Sequence, residues 1–388
     1  MNEIVAHSGW KSSDVSVLMK IGGYMVGNHD HGDAGSFQIY YKGMLASDSG
    51  YYTSHGIGHH SAYTRQTISS NSILVYNPAL KDKGTWNKGE VNEHPYSGGQ
   101  SLVQDITRIV CPYTLESAKN CAAMDQLKVI GKAYEVKDES LGYVYLAGDM
   151  TKAYDEESVD EVTRHMISVM TDDKDMPMVF ATFDRITAKD KSFKKTVLLH
   201  SMVPPVLTDD GFIVITNTKD NNSGKLVAQS LITDMTPTVL GDGNGEEYTI
   251  GDKVYRPDSY NPADPDYRID LCPATESKTD RILTLMYVTD AENDSLPVKA
   301  KEIISEKLLG ASILDVALLF PKESGVLSGN LSFTTEGDAD LHYYVTGVSD
   351  GEWTVEANGR AIAKALVKEN EGILTFTAPA GKINLKMV

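Results

Sequence analysis

Apolar side chains recur along this chain in short runs, many of them alternating with polar ones. Residues 143–147, 196–200, 211–216 and 341–346 are rich in β-branched and aromatic residues, and several keep the period of two that a half-buried strand requires. Residues 4–7 and 15–20 read the same way. Clusters of small and polar residues separate the runs, as at 220–224 and 241–245. Many short strands with regular turns predict stacked sheets. The pattern therefore predicts an all-β protein: a large two-sheet sandwich over residues 1–297, then a smaller C-terminal β-sandwich over 298–388. The boundary is expected near 296–300. Two stretches carry a helix-compatible spacing, residues 101–110 and 298–309, the second with charges around one face. The polar, proline-bearing stretch 255–273 reads as a long surface loop. Internal repeats and low-complexity tracts are not seen.

A length of 388 residues predicts two or three domains, and a 41% hydrophobic content is enough to fill their cores. No apolar run reaches membrane-spanning length, so a membrane is not the expected partner. Residues 1–10 lack the basic and apolar regions of a signal peptide, which on its face predicts a cytoplasmic chain. The net charge of −18 argues against nucleic acid, whose phosphates attract basic surfaces. An acidic polymer is not excluded by it, because a local basic groove can coexist with a negative total. Three cysteines, Cys111, Cys121 and Cys272, are too few for a disulfide framework and read as free thiols; a Cys111–Cys121 bridge would need an oxidising compartment.

The densest chemistry lies in residues 27–52. His29 and His31 stand two apart, and an extended backbone would place both, with Asp33, on one face. A strand is expected from Phe37 to Tyr41, and Asp48 follows a second short strand. Imidazoles with a carboxylate further on can form a site for zinc or a similar cation. Solvated or hydrogen-bonded loop histidines account for the same spacing, and both readings stay open on residue types alone. His55, His59 and His60 sit in a glycine-rich stretch with Tyr51, Tyr52 and Tyr63, which reads equally as a substrate-facing rim or a surface hairpin.

Several of these segments together resemble the heparinase II/III-like family. Residues 28–52 are similar to its Asn-His-x-His-x-Asp-Ala-Gly-Ser-Phe-x-Ile-Tyr-Tyr-x-Gly signature and the Asp-x-Gly-x-Tyr step after it. Residues 63–78 resemble its Tyr-x-Arg-x-Thr-Ile-Ala-His-Asn segment, with Ser70 where the family has histidine. Residues 97–100 resemble its Gly-Gly-Gln turn, and residues 148–154 its Gly-Asp-x-Thr-x-Ala-Tyr strand. Residues 183–186, on to Leu199 and His200, also fit. The likeness spans at least residues 4–205 and, more weakly, the C-terminal sandwich.

The resemblance implies a polysaccharide lyase that cuts uronic-acid-containing polymers, such as heparin, heparan sulfate or alginate, by β-elimination. It implies His29 as catalytic acid/base, with Asn28 helping to hold the substrate carboxylate. Arg65 and Asn71 are implied substrate contacts, although Arg65 could equally brace the loop. His31 and Asp48 are implied zinc ligands. The third is a histidine: His94 is the candidate, and the rival is the family histidine at whose place this chain has Ser70, in which case a ligand is lost. Tyr41, Tyr145 and Tyr154 are expected to pack the sheets, Asp149 to fix a turn, Asp33 to bond local backbone, and Asp184 and His200 to be structural. The family's N-terminal α/α toroid, which supplies a catalytic tyrosine and much of the groove, has no counterpart in these residues. The expected partners are thus an acidic polysaccharide and a toroid in cis or trans, and the chain is expected to be inactive alone. A periplasmic or secreted location is implied. Two readings of other classes remain: a non-catalytic carbohydrate-binding scaffold, and a metallohydrolase built on His29, His31 and Asp48, for which no HExxH companion is seen.

Overall fold

The computed structural model describes residues 2–22, 31–52, 58–82, 95–100, 130–136, 142–241, 243–261, 266–295, 297–369 and 371–388. The protein is all-β. Its centre is an eight-stranded antiparallel sheet, in the order Pro205–Leu207, Phe212–Asn217, Gly224–Leu231, Thr279–Asp290, Met178–Ala188, Val159–Met170, Tyr143–Asp149, Ile130–Val136. Two four-stranded sheets cover one face. One is built from Asn2–His7, Ser16–Gly22, Phe37–Tyr40 and Met44–Ala46. The other has the order Met235–Leu240, Tyr267–Pro273, Lys194–Ser201, Ile73–Tyr76. A five-stranded sheet, Lys301–Ile304, Leu308–Ile313, Val316–Pro321, Asp340–Thr346 and Ile373–Pro379, packs on the opposite face. A last four-stranded sheet, Asn330–Thr334, Lys382–Met387, Gly351–Ala357 and Arg360–Val367, closes the C-terminal sandwich.

The central sheet is buried on both sides, and its sequence shows why. In Met178–Ala188, Met178, Phe180 and Ile186 join the core beneath the two small sheets. Val179, Ala181 and Phe183 point the other way, into the core shared with the C-terminal sheet. A strand covered on both faces has no solvent side to carry polar residues, so it reads as a continuous apolar run. The outermost strands alternate instead: in Asn330–Thr334 only Leu331 and Phe333 are buried.

Two expectations are corrected. Residues 298–309 are not helical; they form Lys301–Ile304 and the start of Leu308–Ile313, paired antiparallel. Ile303 enters the sandwich core while Lys301, Glu302 and Ile304 face out. Charges spaced for a helix face also suit a hairpin, and pairing to Val316–Pro321 decides between them. The supposed loop 255–273 ends as a central strand, Tyr267–Pro273, with Ile269 and Leu271 in the core and Arg268 and Asp270 on the other face. Residues 101–110, Cys111 and Cys121 lie outside the described residues. Cys272 is a half-buried free thiol. Among the described residues, no helix is long and apolar enough to cross a membrane.

Candidate functional site

The loop 31–36 and the segment 58–72 meet on the side of the central sheet that carries the small sheets. The small residues of the signature shape this loop. Gly35 has φ +80°, and a Cβ there would lie 2.6 Å from Met150 Sδ. Its carbonyl accepts from Arg164 Nη1 at 2.6 Å, and the same nitrogen reaches the Asn71 carbonyl at 2.9 Å. Arg164 is fully buried and doubly paired to the equally buried Asp184, Nε to Oδ1 at 2.7 Å and Nη2 to Oδ2 at 2.8 Å. One ion pair in the middle sheet thus pins both segments of the site.

A second clamp comes from the Gly-Gly-Gln turn. The Gln100 amide is buried and bonds Ala34 twice: Ala34 N–H donates to Oε1 at 3.0 Å, and Nε2 donates to the Ala34 carbonyl at 2.7 Å. Ser72 Oγ donates to the same carbonyl. Gly98, at φ +86°, passes so close that a Cβ would sit 2.8 Å from the Tyr76 backbone. Sequence reasoning missed Gln100 and Arg164 as organisers of the site. The Gly-Gly before Gln100 was the available signal, because it marks a close backbone approach.

On the open side of the loop, Lys20, Asp33, Gln38 and Asp48 lie together. The Asp33 carboxylate takes a side-chain cation, Lys20, at 2.9 Å, where bonding to local backbone was expected. Burial works against the Lys20 charge, but Asp33, with Glu3 after it, offsets this and holds the ammonium above the usual lysine range. Gln38 donates to Asp48 Oδ2 at 3.1 Å. Asp48 is exposed to solvent but desolvated in part by the protein around it. That burial, and then the Asp33 charge, push its carboxyl up to about 6, against the opposing pull of Gln38, Lys20 and the neighbouring buried Ser70. A carboxylate crowded in this way gains from a cation brought beside it.

His31 is half-buried, its ring 6.3 Å from that of the buried His60, against whose other neighbour, the exposed Tyr52, the rings meet edge-on at 4.5 Å. His59 is structural. Its Nε2 accepts from Tyr51 N–H at 3.0 Å, so Nδ1 carries the proton and donates to the Tyr255 carbonyl at 2.5 Å. Burial holds it below the usual histidine range. Tyr63 is fully enclosed and pushed up to about 12 by burial, which removes it from proton transfer near neutral pH. The half-buried Arg65 ends the π-helical turn His60–Thr64, and its carbonyl accepts from Gly32 N–H at 2.8 Å, joining the turn to the signature loop.

Asn71 is not placed to touch a substrate. It has no exposed surface, and its amide is committed to the protein: Nδ2 donates to the Phe37 and Ser47 carbonyls, and Oδ1 accepts from the His200 backbone N–H at 2.7 Å. His200 donates from Nε2 to the Ile68 carbonyl and lies fully buried. Tyr41, Tyr145 and Tyr154 are core residues, and Asp149 Oδ1 accepts from Thr151 N–H in a turn. His29, Asn28, His55 and His94 lie outside the described residues. Among the described residues, no three His, Cys, Asp or Glu side chains gather closely enough to hold a metal. His31 and Asp48 are the described donors of the implied zinc site.

Comparison with known proteins gives these segments a common origin. Residues 5–262 match the heparinase II/III-like C-terminal family model, and residues 302–387 match the heparinase II C-terminal domain. The chain belongs to the heparinase II/III-like family. Among solved structures it is similar to a heparinase III (14% identity, TM-score 0.48, covering 80% of this chain and 40% of that one). It is likewise similar to the heparan sulfate lyase HepC from Pedobacter heparinus (13% identity, TM-score 0.47, covering 83% and 42%). The chain therefore spans well under half the length of these solved proteins. No curated protein matches it.

Proposed function

We propose that this chain is the β part of a polysaccharide lyase that cleaves uronic-acid-containing acidic polysaccharide, of the heparan sulfate or alginate kind, by β-elimination. The observation that supports this reading is the signature loop itself, doubly clamped by Arg164 and Gln100, with Lys20, Asp33, Gln38 and Asp48 grouped on its open side. β-Elimination needs the uronate carboxylate neutralised so that the adjacent C5 proton can leave, a base to take it, and an acid for the departing O4. Asn28 is assigned to the carboxylate and His29 to proton transfer, with Arg65 at the rim. A zinc ion, when bound by His31, Asp48 and His94, would hold the loops in register and relieve the crowded Asp48 charge. The reaction further requires the α/α toroid, in cis or trans, because proximity of both halves assembles the groove.

The test is elimination itself. Heparan sulfate, heparin and alginate are offered to the protein, and unsaturated uronate is followed by ultraviolet absorbance. The chain alone is expected to give no product, to give it once the toroid is supplied, and to lose it again in His29→Ala. Polysaccharide binding with no product even in the presence of the toroid would favour the scaffold alternative. Elemental analysis is the independent check on the metal. About one zinc per chain is expected, lost in His31→Ala and in Asp48→Ala; a chain purified without zinc, and taking none up on addition, would remove the metal from the proposal and mark Ser70 as a lost ligand.

A further inference from the structure

Among the described residues, the most exposed large apolar side chain is Trp10, 90% open to solvent at the tip of the hairpin between Asn2–His7 and Ser16–Gly22. It is held there rather than left loose. Its ring lies 4.7 Å from that of His7, tilted by 32°. Beneath it Lys11 N–H donates to Asp14 Oδ2 at 2.8 Å, and Asp14 N–H donates to the Lys11 carbonyl at 3.0 Å. Ser8 N–H donates to the Val15 carbonyl at 3.1 Å and Val15 N–H to Ser8 Oγ at 2.8 Å, closing the base of the tip. From the next strand, the Tyr40 hydroxyl donates to the Ser12 carbonyl at 2.9 Å. An indole left in water adds no burial to the fold, whereas one set on a braced frame loses little freedom when a ligand covers it. That is the setting of an aromatic anchor on a binding surface.

The sheet beneath the hairpin leads from Trp10 to the signature loop. Val17, Met19 and Ile21 enter the core, so Ser16, Leu18 and Lys20 of the same strand face outward. The register sets His7 and Tyr40 on either side of Ser16, Val5 and Gln38 on either side of Leu18, and Glu3 beside Lys20. This outer face joins the groups at the signature loop: Lys20 pairs with Asp33, and Gln38 donates to Asp48. Lys20 and Ser16 are four positions apart, about 13 Å of strand, and the indole lies beyond Ser16. The two rows between Lys20 and the tip carry no carboxylate and no ammonium, so they do not repel an anionic chain. They alternate apolar surface, from Val5 at 46% exposure and the half-buried Leu18, with an amide, hydroxyls and an imidazole. A pyranose matches that mixture, with its C–H face and its rim of hydroxyls. A second copy of the chain would fit it less well, because the apolar groups are interspersed with polar ones and form no contiguous core. We propose that this face is a distal subsite for the acidic polysaccharide, with Trp10 stacked on the C–H face of a sugar several units from the bond that is cut. The identity of the polymer rests on the lyase reading above; the strip and its anchor do not.

The test is calorimetric titration of the full chain with size-defined heparan sulfate and alginate oligomers. A decasaccharide of at least one polymer is expected to bind about tenfold more weakly to Trp10→Ala than to the wild type, and Trp10→Phe should recover most of the loss. A disaccharide, too short to reach the tip from the signature loop, should bind the wild type and Trp10→Ala alike. The thermal midpoint should not fall in Trp10→Ala, because the indole already lies in water. Val5→Glu should weaken the decasaccharide severalfold by repulsion, and Val5→Lys should strengthen it. Equal decasaccharide affinity in the wild type and Trp10→Ala, an equal loss for both oligomer lengths, or a wild type that binds no oligomer would each overturn the subsite. So would a wild-type dimer in sedimentation velocity that Trp10→Ala dissociates with decasaccharide affinity unchanged, which would assign the indole to a second copy. Elimination decides the lyase reading separately: length-dependent binding through Trp10 with no product, even when the toroid is supplied, would end that reading and leave the subsite in place.

Discussion

Asp184→Ala is expected to cost the fold about 3–5 kcal/mol, because it strands a buried guanidinium without its counter-charge. Arg164 and Asp184 sit directly opposite each other on neighbouring strands of the central sheet, and neither has exposed surface. Taking two charges out of water is expensive, and their mutual attraction offsets the cost only when the geometry is good and every remaining donor is used. Here the geometry is good and four of the five donors are used: two parallel bonds join the side chains, and the third nitrogen serves Gly35 and Asn71. Urea unfolding measures the loss. A double variant, Arg164→Met with Asp184→Leu, separates stability from site geometry. It removes both charges and should recover much of the stability, since buried pairs are often replaceable by apolar residues. It also removes the donor to the Gly35 and Asn71 carbonyls, so faster amide exchange is expected in residues 31–36. A cost below about 1 kcal/mol for Asp184→Ala would show that the pair does not anchor the fold.

Strand content was legible because period-two alternation survives wherever one face meets solvent, as in Asn330–Thr334. It faded where both faces are covered, and there only length and β-branched content identified strands such as Met178–Ala188. Residues 298–309 were misread because a charged hairpin and an amphipathic helix share spacings, and only partners far along the chain distinguish them. The same limit governs the site. Its loop stood out as a motif, but Ala34, Gly35 and Ser36 are there to be clamped, which no local pattern discloses. Asn71 looked like a substrate contact because a polar amide next to a motif suggests recognition. Three of its four hydrogen-bonding positions are filled by residues 24 to 129 positions away, and that is visible only in three dimensions. Lys20 and Gln38 carried a readable signal, since each points outward from a strand whose neighbours point in, toward the same side as Asp48.

Acid should unfold this protein well above the pH at which its carboxylates titrate, and two buried histidines account for it. His165 and His200 are both pushed down to about 3, by burial first and then by a nearby guanidinium, Arg185 for one and Arg268 for the other. In the unfolded chain each takes a proton near pH 6.5. Between about pH 6.5 and 3 the unfolded state therefore binds more protons, and stability falls as pH falls. Each histidine contributes a slope of up to about 1.4 kcal/mol per pH unit, so lowering the pH from 7.5 to 4.5 removes about 5 kcal/mol in all. Asp48 acts in the opposite sense, since its raised carboxyl, at about 6, favours the folded state as it protonates. Its exposure to solvent screens that contribution to less than one histidine's. The measurement is the urea midpoint as a function of pH, in the wild type and in His165→Gln and His200→Gln. Each variant is expected to start less stable at pH 7.5, because a buried ring and its bonds are lost, and to show a slope about half the wild-type value. An unchanged slope in both would assign the acid sensitivity to the carboxylates, with the histidines protonating in place.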